Sequence, residues 1–88
     1  MHESGLIEDL IHKVESLVRE HAGRRATVIR LRVGALAAAD PDHLREHFEM
    51  AALGTVAEGA RLEISVAEDP LGPDPGAIVL ESVEIETE

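Results

Sequence analysis

The chain has 88 residues, of which 44% are apolar and 30% charged, and a formal net charge of −10. A chain this short buries only a little over about 60% of its unfolded surface and supports one core, which excludes a two-domain arrangement. The acidic balance repels phosphate backbones and anionic lipid, so nucleic acid and membrane surfaces are excluded as partners, while cations and basic protein faces are favoured.

Cysteine is absent, which removes any disulfide, thiolate nucleophile or thiolate zinc site. Phe48 is the only aromatic residue, so the core must be aliphatic. No basic segment followed by an apolar one opens the chain, and no apolar run reaches membrane length; a cytoplasmic protein is expected.

The first predicted element is a helix. Leu6, Ile7, Leu10, Ile11, Val14, Leu17, Val18 and His21 recur at helical spacing with charged residues opposite. Ser4 as N-cap and Gly23 as terminator give it a span from about residue 5 to about residue 21. "RRATVIRLRVGAL" then alternates, with Ile29, Leu31 and Val33 on one face and Val28, Arg30 and Arg32 on the other, which predicts a half-buried strand. In the stretch that follows, Asp40 is an N-cap, Pro41 takes the first helical position and Asp42 lies in the first turn. Leu44, Phe48, Ala51 and Ala52 form this second helix's inward face, and Gly54 closes it.

"EGARLEISVAED" supplies a second strand with Leu62, Ile64 and Val66 aligned. The prolines and glycines of "DPLGPDPGA" break regular structure, and "IVLESVEIETE" makes a third strand. Ile78 and Leu80 share one parity while Val83 and Ile85 share the other, which calls for a bulge near Glu81 and Ser82 or a later strand start. The order αβαββ predicts an α+β two-layer sandwich, with two helices on one face of a three-stranded sheet. The last two strands, separated only by a loop, are expected to pair as an antiparallel hairpin, and the first strand could join on either side.

The opening "MHE" carries the candidate chemistry. A free α-amine, the backbone nitrogen of residue 2 and the imidazole of His2 can close two fused chelate rings around one metal ion. The amide nitrogen or carboxylate of Glu3 would complete a square. Planar nitrogen and oxygen sets favour Ni(II) or Cu(II) over tetrahedral Zn(II). Binding displaces protons, so affinity should rise with pH and release should follow acidification or ligand exchange. The same dipeptide equally fits a solvated chain end.

"MHE" before an amphipathic helix, then "RVGAL", "DPDHLREHFEMAALGTVAEGARLEI" and a closing "VEIE", resemble the HypA/HybF family of nickel-insertion accessory proteins for hydrogenase and urease maturation. The resemblance runs from Met1 to about Glu68 and again from about Leu80 to Glu86. It implies a nickel metallochaperone, a non-enzyme, with an αβαββ nickel-binding domain over residues 1–88. The metal would be held by the Met1 amine, the backbone nitrogen and imidazole of His2, and Glu3, with Asp40 as a neighbour of the site. A nickel-enzyme precursor or a nickel-insertion GTPase would be the partner, and a second copy of the chain is a further candidate. Family members carry a zinc-binding insertion with two CxxC pairs between the last two strands. Here a short Pro/Gly loop at about 69–77 stands in its place, and no zinc is expected. The alternative function is a protein-interaction adaptor that keeps the fold without the metal.

The other polar constellations are weaker. His43 and His47 are four apart on the second helix, a spacing that suits a shared metal, but without an evident third ligand they read as a solvated pair. His12 reads as exposed, and His21 as a neutral imidazole bonded to backbone at the helix end. Arg30 and Arg32 are either solvated or set against acidic neighbours. "ESVEIETE" has the charge alternation of a guarded sheet edge. Ser4, Ser16, Ser65 and Ser82 lie in no nucleophile context and there is no Gly-rich phosphate loop, so no catalysis is predicted.

Overall fold

The structure is a computed structural model that describes the backbone of residues 3–87 and the side chains of residues 5–87. Its elements are α1 (Glu3–Glu20), β1 (Arg25–Val33), α2 (Pro41–Ala52), β2 (Arg61–Val66) and β3 (Ile78–Glu86). Helix α1 takes in Glu3 and Ser4, so Ser4 lies within the helix and not at its cap; a serine is tolerated there because first-turn amides need no intrahelical acceptor. Ile7, Leu10, Ile11, Val14 and Val18 are buried along one stripe of α1, as the periodicity requires.

The end of α1 differs from expectation. Ala22, not Gly23, takes the left-handed conformation, with φ of 51°. The Gly23 amide donates to the Val18 carbonyl at 2.8 Å and the Ala22 amide to the Arg19 carbonyl at 3.1 Å, the paired bonds of a Schellman cap. Gly23 is needed for a different reason: a Cβ there would come within 2.3 Å of Ile85 Cγ2, so the missing side chain is what lets the helix exit run against β3.

The sheet order is β2-β1-β3, with β2 parallel and β3 antiparallel to the central β1. The expected hairpin of the last two strands does not form. Helix α2 carries the chain back so that β2 lies parallel to β1, and β3 takes the other edge of β1. The connection is short because Val66 and Ile78 both pair with Val33, so the segment between them need only pass the end of one strand. The phase change in β3 is a bulge: Arg30 pairs with Ser82 and Leu31 with Leu80, which leaves Glu81 unmatched and lets Ile78, Leu80, Val83 and Ile85 all pack on the core.

Helix α1 packs on β1 and β3, α2 packs on β2, and the helices pack on each other, which gives the α+β sandwich. Leu44, Phe48 and Ala52 of α2 enter the core, whereas Ala51 is exposed, its position having rotated past the narrow inward stripe. The uncovered sheet face is polar. Arg30 joins all three strands by donating from Nε to Glu63 of β2 at 2.8 Å and from Nη2 to Glu84 of β3 at 2.7 Å. These charge-assisted bonds, Glu84's before Glu63's, raise the Arg30 pKa above the usual arginine value. Arg32 pairs with Glu81 at 3.3 Å on the same face.

Candidate metal centre

Asp40 sits at the entrance to α2, in extended backbone with φ of −84° and ψ of 120°. Its Oδ1 accepts from the Asp42 amide at 3.0 Å and its carbonyl from the Leu44 amide at 2.9 Å. Capping of this kind satisfies amides that the helix itself leaves without partners, and the carboxylate also complements the positive helix end. The side chain is exposed, so the carboxylate faces solvent while one oxygen holds the cap.

Met1 and His2, the first two of the expected ligands, lie outside the described residues. Glu3 opens α1. The amides of a helix's first turn have no intrahelical acceptor, so nitrogens at this end are not tied into the helical ladder. Among the described residues, no group of three or more His, Cys, Asp or Glu side chains is placed to hold a metal ion.

Two residues of the second turn of α1 take part in a shared feature. Ile7 and Glu8 of α1 line a concavity together with His47, Met50 and Ala51 of α2. Sequence patterning missed Glu8 and Met50 as neighbours, because only the packing of α1 on α2 brings them together. His43 and His47 are in edge-to-face contact, with ring centroids 4.4 Å apart and planes at 75°. His12 is exposed, as expected. His21 bonds the Leu17 carbonyl through Nδ1 at 2.8 Å, also as expected, but it is exposed because the stripe has turned to the surface by the end of α1.

The αβαββ sandwich, with its first helix opening at Glu3 and its second capped by Asp40, has counterparts among known proteins. The family model for hydrogenase/urease nickel incorporation, metallochaperone, HypA matches residues 1–70. The chain is 47% identical over 66 residues to the hydrogenase maturation factor HypA of Methylocella silvestris, an alignment covering 75% of this chain and 58% of that protein. It is 42% identical over 66 residues to HypA of Archaeoglobus fulgidus, covering 75% and 60%. With HypA of Polaromonas naphthalenivorans it shares 42% identity over 72 residues, covering 82% and 60%. The chain therefore belongs to the HypA family.

These alignments span about three-fifths of the relatives' length. The solution structure of the Ni metallochaperone HypA from Helicobacter pylori superposes with a TM-score of 0.83 at 18% identity, covering 100% of both chains, and has the same fold.

Proposed function

We propose that the chain carries Ni(II) as cargo at its N-terminus and passes it to the precursor of a nickel enzyme of the hydrogenase type. The α-amine of Met1, the backbone nitrogen and imidazole of His2, and a donor from Glu3 would make the square. Asp40 would act beside it. The observation that carries this reading is family membership over residues 1–70, a span that includes the chelating opening.

The local physics is consistent with such a site. A helix N-terminus carries a partial positive charge that opposes a bound cation. A deprotonated amide nitrogen and the Glu3 carboxylate would neutralise the ion and offset that opposition. No first-turn helical hydrogen bond need be broken to recruit the amide. A transfer site with micromolar affinity corresponds to about 8 kcal/mol, strong enough to load and weak enough to release to a partner with softer or more numerous ligands. A nickel-insertion GTPase as the immediate partner, and action in the cytoplasm, belong to the same proposal, as does the reading of residues 1–88 as one nickel-binding domain without zinc.

The test is a Ni(II) titration of untagged protein followed by absorption spectroscopy, repeated with His2→Ala and with a short N-terminal extension. Wild type should develop a diamagnetic square-planar band and both variants should lose it. Identical behaviour of all three would sink the metal reading and leave the interaction adaptor in its place.

A further inference from the structure

We propose that α2 carries a second metal site, in which His43, His47 and Met50 bind Cu(I). The three residues recur at i, i+4 and i+7. At 3.6 residues per turn they fall within about 60° of one helix face, so their side chains rise as a single stripe. The two imidazoles already touch, at 4.4 Å between centroids. His47 and Met50 line the same concavity, walled on the other side by Ile7 and Glu8 of α1.

Met50 is 72% exposed, although a methionine gains by burial and its neighbours at 44, 48 and 52 are all in the core. A thioether at the surface that shares a concavity with His47, whose ring touches that of His43, supplies a soft donor set. Thioether ligands select Cu(I), imidazole accepts copper in either state, and neither demands the planar geometry that an amine and amide nitrogen would impose. The hard cations are poorly served here, since they prefer carboxylate, carbonyl and water oxygens.

The surroundings favour cations. Asp42, Glu46 and Glu49 share α2 with the stripe and Glu8 faces it from α1, so the local potential concentrates positive ions. Arg45, the one basic residue of α2 apart from the histidines, turns to donate to the Leu62 carbonyl of β2. The chain would thus sort two metals by softness, with nickel at the planar nitrogen site and copper on the helix.

The test uses the full chain with a short N-terminal extension, which blocks the terminal site and so keeps the outcome separate from the nickel proposal. Under anaerobic reducing conditions Cu(I) is titrated against the chromophoric chelator bathocuproine disulfonate, and the copper-loaded protein is examined by X-ray absorption at the copper edge. The extended protein should withdraw one Cu(I) per chain and show a copper–sulfur shell. His43→Gln should weaken binding by an order of magnitude or more, and Met50→Leu should weaken it and remove the sulfur shell. Both positions are exposed, so circular dichroism melting curves of the variants should overlay the parent's. Failure of the extended protein to withdraw copper, or a Met50→Leu variant with unchanged affinity and an unchanged sulfur shell, overturns the proposal.

Discussion

Asp40 has two separable jobs, and two substitutions tell them apart. In the structure its Oδ1 accepts from the Asp42 amide at 3.0 Å. Losing such a cap costs about 1 kcal/mol, and losing the negative charge at a helix N-terminus costs roughly a further 0.3–1 kcal/mol. Asp40→Ala removes both and should destabilise the protein by about 1.5 kcal/mol, which in a domain of this size lowers the melting midpoint by about 6–12 °C. Asp40→Asn keeps an acceptor in place and forfeits only the charge, so its midpoint should fall by about 1–8 °C, less than that of Asp40→Ala. Thermal melts followed by circular dichroism at 222 nm measure the first job. The second is read by Ni(II) titration well below either midpoint. A carboxylate that steadies the terminal site through its charge predicts weaker nickel binding in Asp40→Asn despite its smaller loss of stability. If Asp40→Ala melts with the wild type, the capping argument is wrong; if Asp40→Asn binds nickel as the wild type does, Asp40 is a cap and nothing more.

The remaining predictions concern the frame around the site. Ala22→Gly should stabilise the protein by about 0.5–1 kcal/mol in urea unfolding: left-handed backbone costs an L-residue about 1–2 kcal/mol, part of which is returned as glycine's extra unfolded-state entropy. Gly34→Ala should be severe, because its Cβ would lie 2.3 Å from the Pro75 carbonyl oxygen and 2.5 Å from that of Asp74, backbone atoms that cannot rotate away. A loss of about 2–3 kcal/mol, with faster proteolysis of the segment 67–77, is expected. Arg30→Gln should lower the melting midpoint at low salt, and the gap from wild type should narrow as NaCl rises to about 1 M, since these are solvent-facing pairs. The Arg30 pKa is raised on folding, so its stabilisation is complete below the unfolded arginine value and fades only as pH climbs through the folded one. Arg30 therefore contributes no pH dependence around neutrality, and a difference between wild type and Arg30→Gln that changed there would contradict the assignment.

Most of the fold was legible because its signals are local. The stripe from Ile7 to Val18, the Asp40-Pro41-Asp42 helix start and the phase slip at Glu81 each depend on residues a few positions apart, and all three appear in the structure. What was not legible depends on distant partners. Nothing within the last two strands says that β2 will be held on the far side of β1 by the α2 crossover, so proximity in the chain pointed to a hairpin that does not exist. Ala22 adopts the conformation expected of a glycine because Gly23 is already required beside Ile85, a contact across more than sixty residues. The pairs Arg30 makes on both flanks depend on the same strand order. At the candidate centre, the sequence supplied the role of Asp40 as a cap. It could not supply the concavity where α1 meets α2, which only packing defines.

Strand order also explains how one chain can carry so short a link where the family resemblance places a cysteine-rich insertion. Residues 67–77 leave from Val66 and arrive at Ile78, both opposite Val33, so the gap is two strand spacings, about 10 Å. A link of that length can reach about 35 Å when extended, and the excess is folded against the end of β1. There the Gly34 amide donates to the Ala77 carbonyl at 2.8 Å and the Leu36 amide to the Pro75 carbonyl at 2.7 Å. Lengthening or shortening this link leaves the register of β1 untouched, because neither neighbour's pairing passes through it. The same bonds, however, fasten the link to the segment that runs from Gly34 to Asp40. Whatever occupies this position is therefore mechanically joined to the entrance of α2, four residues before the carboxylate proposed to act on the metal site. An insertion here has a short hydrogen-bonded route to Asp40, and the compact link of this chain fills that route with the bonds from Gly34 and Leu36.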